Sequence, residues 1–230
     1  MLKIAHRSGP VTYPEQTIQS AREAIALGAD IVEIDVRLTF DGQLAVTHDE
    51  NVLRVFGVDA LVGTLTAEQF CSLRHASDPA FCSHMFEDFL AAGVAPLLVH
   101  VKVGSDPMVI ERLLESIAKF DYAEKIILGL TRPDHIARIH EADPRIRILS
   151  FGDVKAIDKF LAAGVDFIRL WEEWLTPELV DKIKSSGVNL AVMSGLIDDG
   201  SVGVPTDEGL QRILSYHPDS ILINDVRRIK

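Results

Sequence analysis

Short apolar runs recur along the chain, each followed by a stretch in which apolar residues return every three or four positions. LKIAH precedes PEQTIQSAREAIALGA, IVEIDVRLT stands next, PLLVHVKV precedes PMVIERLLESIAKF, and KIILGL precedes PDHIARIHEA. RIRILSF with VKAIDKFLAAG, VDFIRLW with TPELVDKIKSSG, VNLAVMSG with TDEGLQRILSYH, and a closing SILIND complete the rhythm. Alternation marks strands and a 3.6-residue period marks helices, so the pattern predicts eight strands joined by helical crossovers. Gly28, Gly93, Gly164 and Gly187 follow helical stretches, while Pro14, Pro107, Pro133 and Pro177 stand near helix starts.

Crossover helices make neighbouring strands parallel, and eight such units in 230 residues favour a closed (β/α)8 TIM barrel over an open doubly wound α/β sheet. Only VRRIK follows the last strand, so the final helix is expected to be missing or vestigial. No Pro/Gly/Ser linker, repeat or low-complexity tract divides the chain, and residues 1–230 read as a single domain. One interval breaks the rhythm. Residues 47–95, between Val46 and Pro96, exceed an ordinary connection and carry a short extended piece and about two helical pieces. Long excursions from a barrel rim commonly serve the active site.

The chain is 47% hydrophobic and 25% charged, enough for a sizeable core, and its net charge of −11 argues against nucleic acid or an anionic lipid surface as partner. An anionic substrate must then meet locally placed cations. The start, MLKIAHR, lacks a signal-peptide apolar stretch and no window reaches membrane-span length, so a cytoplasmic location without stable membrane insertion is expected. Cys71 and Cys82 are expected to be free thiols.

Chemistry concentrates at strand ends. In IVEIDVRLT, Glu33, Asp35 and Arg37 share one face while Val32, Ile34, Val36 and Leu38 share the other. The apolar face suits the surrounding helices, which turns the charged one into the barrel, where an unpaired carboxylate costs several kcal/mol. Either a carboxylate–arginine network or a hard divalent cation satisfies these acids. In PLLVHVKV, His100 and Lys102 share a face, and the two strands are expected to be neighbours. Alone, His100 reads more readily as a satisfied core histidine than as a ligand, but beside the second strand it is expected to stand next to Glu33 and Asp35. His6 ends the first strand and Arg7 follows it, while His48 ends LAVTH after the second. The two histidines are either surface residues or a general acid–base pair.

The run IAHRSGPVTYPEQT, then GADIVEIDVRLTFDGQLAVTHDE, resembles the glycerophosphodiester phosphodiesterase family, whose signature joins His-Arg-Gly, Pro-Glu-Asn-Thr, Glu-x-Asp, Asp-Gly and His-Asp. Order and spacing agree over about the first 50 residues, and GTLTAEQF, VHVKV and ILIND carry thinner agreement onward. The resemblance implies a metal-dependent barrel of lipid and glycerol metabolism that splits a small glycerophosphodiester into sn-glycerol 3-phosphate and an alcohol. His6 and His48 would be the catalytic acid and base. Glu33 and Asp35 would hold the metal, with His100 as the third ligand, and Arg7 and Lys102 would bind phosphate. In the family's scheme a substrate hydroxyl attacks phosphorus and water opens the resulting cyclic phosphate.

Three departures bear on this. His100 stands where the family has glutamate, which shifts the expected ion from Mg²⁺ or Ca²⁺ toward Mn²⁺, Fe²⁺ or Zn²⁺. Ser8 replaces a glycine and Gln16 an asparagine. RLWEEW ends the sixth strand, where Trp171 walls the substrate pocket and Glu172 supplements the cation site, or both merely pack and face solvent. The loop SGLIDDGSVGVPTDEG reads as a lid. The alternatives are a phospholipase D-like barrel acting on lysolipids or sphingomyelin, which needs an apolar rim, and a degenerate barrel that binds phosphorylated ligands without turnover. The oligomeric state is left open.

Overall fold

The structure is a computed structural model that describes residues 1–102 and 106–230. Eight parallel strands close on themselves: β1 (Leu2–Ala5), β2 (Ile31–Leu38), β5 (Leu97–Val101), β6 (Ile126–Leu130), β7 (Arg147–Ser150), β8 (Phe167–Trp171), β9 (Asn189–Met193) and β10 (Ser220–Ile223). They pair in that order, and β1 bonds to both β10 and β2, which completes the TIM barrel expected from the sequence. Val103, the last residue of the PLLVHVKV run, lies outside the described residues.

Helices α1 (Ile18–Ala26), α4 (Phe86–Ala91), α5 (Pro107–Lys119), α6 (Ile136–Ala142), α7 (Ile157–Ala163), α8 (Pro177–Ser185) and α9 (Asp207–Ser215) follow the strands in turn. Their starts obey local chemistry. Asp106 accepts from Met108 N with Pro107 in the first turn of α5, while Thr17, Thr176 and Thr206 cap α1, α8 and α9 through their hydroxyls. Along α5, Val109, Ile110, Leu113 and Ile117 are buried on one face, the spacing a barrel-covering helix needs.

Alternation along the strands sorts the core into two parts. Val32, Ile34 and Val36 face the helices with Val99 and Val101, while Ile4, Ile31, Leu98, Ile127, Leu149, Phe167 and Leu222 fill the barrel interior. The next inward positions toward the strand C-termini are polar or small: Glu33 and Asp35, His100, Gly129, Arg169. The apolar floor therefore ends where the chemistry begins.

The interval between β2 and β5 holds more structure than expected. Strands β3 (Leu44–Val46) and β4 (His84–Met85) extend β2 antiparallel, and α2 (Leu53–Phe56) and α3 (Ala67–Cys71) precede α4. Phe56 and Phe70 pack edge to face at 5.8 Å within a small satellite core with Ala45 and Val62. That packing fixes pieces too short to stand on propensity alone. After β10 only a 3-10 turn, Val226–Arg228, follows. Cys71 and Cys82 are free. Among the described residues no helix is long and apolar enough to cross a membrane.

Candidate active site

Residues 6–9 leave β1 through a tight turn in which Arg7, Ser8 and Gly9 all have positive φ (49°, 68° and 66°). This turn aims the Arg7 N–H at Glu33, whose Oε2 accepts it at 2.7 Å. Glu33 and Asp35 are each 1% exposed. Gln16, itself at φ 62°, clamps Asp35 from both sides: its Nε2 donates to Oδ2 at 2.6 Å and its Oε1 accepts from the Asp35 N–H at 3.3 Å. The expected helical stretch from Pro14 therefore begins only at Ile18, because Gln16 is bent out of helical geometry to reach the acid.

β5 faces β2 across the register pair Asp35 and His100, which puts His100 Nδ1 and Lys102 Nζ each 3.0 Å from Asp35 Oδ1. One donor atom from each of Glu33, Asp35 and His100 lies within 4.8 Å of the others. Arg37, the third charged residue of the strand, does not join them; its Nε donates to the His48 carbonyl at 2.9 Å and so fixes the backbone there.

The two acids titrate apart. Burial, and next the charge of Asp35, push Glu33 well above the carboxylate range. Burial acts on Asp35 too, but Lys102 and then His100 outweigh it and hold that carboxyl well below its ordinary value. Such a pair, one acid short of countercharge, suits a cation.

His6 is buried and its Nδ1 lies 2.7 Å from Asn224 Oδ1, just beyond β10. Burial and the adjacent Arg7 charge bring its pKa down to about 4. His48 is more open, with Nδ1 2.7 Å from Asp49 Oδ1, and burial likewise lowers it. His48 is among the charges felt by His6, and both rings feel Asp35 and Arg7, so the two histidines lie within electrostatic range of the same carboxylate. Arg54, from α2, donates to Asp49 at 2.5 Å and to Glu15 at 2.6 Å, and Glu15 meets Arg7 at 3.4 Å. A chain of alternating charges thus ties the insertion to the β1 turn.

On the far side, Trp171 lies 4.3 Å from the Arg169 guanidinium carbon and edge-on to Trp174 at 6.3 Å. Glu172 does not reach the acid cluster; its Oε2 accepts from Gly195 N at 2.7 Å, and its Oε1 is so close to Gly209 that a Cβ there would stand 2.3 Å away. The loop after β9 rests on the site: at Gly203 (φ 82°) a Cβ would lie 2.1 Å from Asn224 Oδ1 and 2.7 Å from His6 Nδ1.

All of this gathers at the C-terminal ends of the strands, where a barrel places its chemistry. A family model described as the glycerophosphoryl diester phosphodiesterase family matches residues 6–196. The chain belongs to that family. Its members are phosphoric diester hydrolases, and its curated relatives agree along their length. A glycerophosphodiester phosphodiesterase of Bacillus altitudinis is 30% identical over 246 residues, covering 96% of this chain and 94% of its own. One from Caldanaerobacter subterraneus subsp. tengcongensis is 27% identical over 237 residues, covering 97% and 94%. A solved Oleispira antarctica phosphodiesterase, in complex with the product sn-glycerol-3-phosphate, shares the fold with a TM-score of 0.85 at 16% identity, over 100% of this chain and 95% of that one.

Sequence reasoning missed the supporting residues Asn224, Asp49, Gln16 and Arg169 in their observed positions. The alternation in FIRLW already put Arg169 inward with Phe167 and Trp171. Asn224 had only a weaker signal, a polar residue directly after an apolar strand.

Proposed function

We propose that the chain hydrolyses small glycerophosphodiesters to sn-glycerol 3-phosphate and an alcohol, using one divalent cation and the pair His6 and His48. One observation carries the reading: a buried acid cluster lies at the barrel mouth, and two differently partnered imidazoles both feel the charge of its Asp35. The donors fit a cation. Among the described residues, Glu33 is buried with a single backbone N–H on one oxygen, Asp35 is held ionised, and His100 Nε2 has no partner. Glu33, Asp35 and His100 would hold the ion, and the imidazole in place of a third carboxylate favours Mn²⁺ or Zn²⁺ over Mg²⁺ or Ca²⁺. When bound, the ion neutralises phosphoryl charge as a Lewis acid.

The imidazole partners divide the acid–base work. An amide oxygen on His6 Nδ1 keeps that nitrogen protonated and leaves Nε2 free to take the proton of the attacking substrate hydroxyl. The carboxylate of Asp49 on His48 Nδ1 stabilises an imidazolium, so His48 is the group that gives a proton to the leaving alkoxide. Water then opens the cyclic phosphate with the roles reversed. Lys102, which enters the mouth on Asp35, and Arg7, whose buried Nε is unpartnered, bind phosphoryl oxygens, with Trp171 as a wall. We read residues 1–230 as one domain in which segment 47–95 supplies Asp49 and Arg54 to this site.

The test is release of glycerol 3-phosphate from glycerophosphoglycerol with Mn²⁺, Zn²⁺ or Mg²⁺ added back after EDTA. Turnover that requires metal and disappears in both His6→Ala and His48→Ala supports the reading. Turnover unaffected by EDTA, or retained without His6, refutes it.

A further inference from the structure

Arg169 sits inward on β8 and is 3% exposed. Its register partner on β9 is Ala191, a small side chain. The guanidinium reaches toward the rim, where Nη2 donates to the Phe151 carbonyl at 2.9 Å, just past the end of β7. Nε and Nη1 have no partner among the described residues, and no acid there offsets the charge. Three aromatic rings surround it, with Trp171 at 4.3 Å, Phe151 at 5.2 Å and Trp174 at 5.5 Å. Rings attract a cation but supply no acceptors for its N–H groups.

A guanidinium buried without an anion is costly, and burial alone draws its pKa down to about 9. Asp35 has Lys102 beside it and Glu33 has the Arg7 N–H, yet Arg169 has no counterpart among the described residues. Its surroundings are nonetheless built. Phe151 occupies the space over Gly129, where a Cβ would stand 2.5 Å from the ring, and His100 lies flat on the same ring at 3.8 Å and 6°. His100 Nε2 is a second buried nitrogen without a partner among the described residues. A carboxylate at position 100 would compete for the guanidinium, whereas an imidazole leaves its donors to a ligand.

We propose that Arg169 is a substrate-binding residue whose unpartnered guanidinium N–H groups donate to an anionic oxygen of the ligand on the β7–β8 side of the barrel mouth. The inference rests on the phosphodiesterase reading and extends it: the ligand's negative charge spans the mouth, from Arg7 and Lys102 on one side to Arg169 on the other. The oxyanion is either a non-bridging phosphoryl oxygen or an acidic group on the leaving alcohol. The two sources share one chemistry, an anionic oxygen that accepts charge-assisted hydrogen bonds from guanidinium N–H groups.

The experiment compares wild type, Arg169→Met and Arg169→Lys as full chains loaded with Mn²⁺. Melting temperatures are read with and without sn-glycerol 3-phosphate, and KM and kcat are read on two diesters. Without ligand, Arg169→Met is expected to melt at or above wild type, since an unpaired buried charge has gone. If the oxyanion is a phosphoryl oxygen, the variant's stabilisation by glycerol 3-phosphate should be lost and Arg169→Lys should recover part of it; if it is the alcohol's acidic group, that shift persists and the effect appears in KM alone.

KM should rise roughly ten- to hundredfold, the loss of one or two charge-assisted hydrogen bonds, with kcat changed far less. An equal rise for glycerophosphoglycerol and glycerophosphoserine assigns the phosphoryl oxygen, and a rise confined to glycerophosphoserine assigns the alcohol's carboxylate. Arg169→Met that melts lower yet keeps the wild-type ligand shift and KM overturns the proposal, as does a wild type that glycerol 3-phosphate does not stabilise. The melting arm needs no turnover, so an Arg169-dependent shift in a chain that hydrolyses neither diester would sink the proposed function and leave this inference standing.

Discussion

Replacing Glu33 by glutamine tests the electrostatic basis of the site directly. The donor atoms of Glu33 and Asp35 lie within 4.8 Å, and two full charges at that distance repel by about 3.5 kcal/mol in an effective dielectric of about 20. Lys102, 3.0 Å from Asp35, offsets part of this. The amide oxygen of glutamine still accepts the Arg7 N–H, so that bond survives the change. In EDTA at pH 8, Glu33→Gln is expected to gain about 2 kcal/mol, or about 4–8 °C in Tm for a domain of this size.

The gain must depend on pH. Below the ordinary glutamate value of 4.5 the folded and unfolded chains both carry the proton and burial of Glu33 has no electrostatic cost. Above it the unfolded chain ionises first, folding has to take up a proton, and metal-free wild type loses stability as pH rises through the window up to the raised folded pKa. Calorimetry in EDTA from pH 4 to pH 9 should show the variant and wild type converging at the acid end. With Mn²⁺ the order reverses, because the ion stabilises wild type by mass action and the amide is a poor ligand. A variant less stable than wild type in EDTA at pH 8 would mean that the surrounding cations already neutralise both acids, and the account of the cluster would be wrong.

Asn224→Ala removes the acceptor on His6 Nδ1 and frees the tautomer, so kcat should fall about ten- to hundredfold with KM nearly unchanged; steady-state kinetics on a glycerophosphodiester decide it. Ser8→Gly relieves a buried residue held at φ 68° whose hydroxyl has no partner, and should add about 1 kcal/mol, or about 2–4 °C in thermal unfolding. His100→Glu restores a third carboxylate and should move the preferred activating ion from Mn²⁺ toward Mg²⁺ or Ca²⁺; metal titrations that keep the wild-type preference would show that His100 does not select the ion.

The barrel was legible because each strand run is apolar on its helix-facing side and its polar residues fall at the rim, a pattern visible in IVEIDVRL and LLVHV without any structure. That alternation also grouped Glu33, Asp35, His100 and Lys102, since strands two and three of a barrel must be neighbours. What it could not convey depends on approach in space. Gln16 abandons a helix start to grip Asp35, Arg37 turns to a backbone carbonyl, and Glu172 meets Gly195 in place of the acid cluster. The short helices α2 and α3 exist because Phe56 and Phe70 find one another, a contact that no local period encodes.

The bridge from Asp49 through Arg54 to Glu15 and Arg7 spans two separately encoded stretches. The segment between β2 and β5 brings the arginine that steadies the partner of His48, while Lys102, the proposed phosphate ligand, comes from the barrel wall. Under the proposed mechanism, leaving-group activation and anion recognition are carried by different modules. Exchange of this excursion between relatives would retune which alcohols depart readily while the seat for the phosphorus stayed as it was.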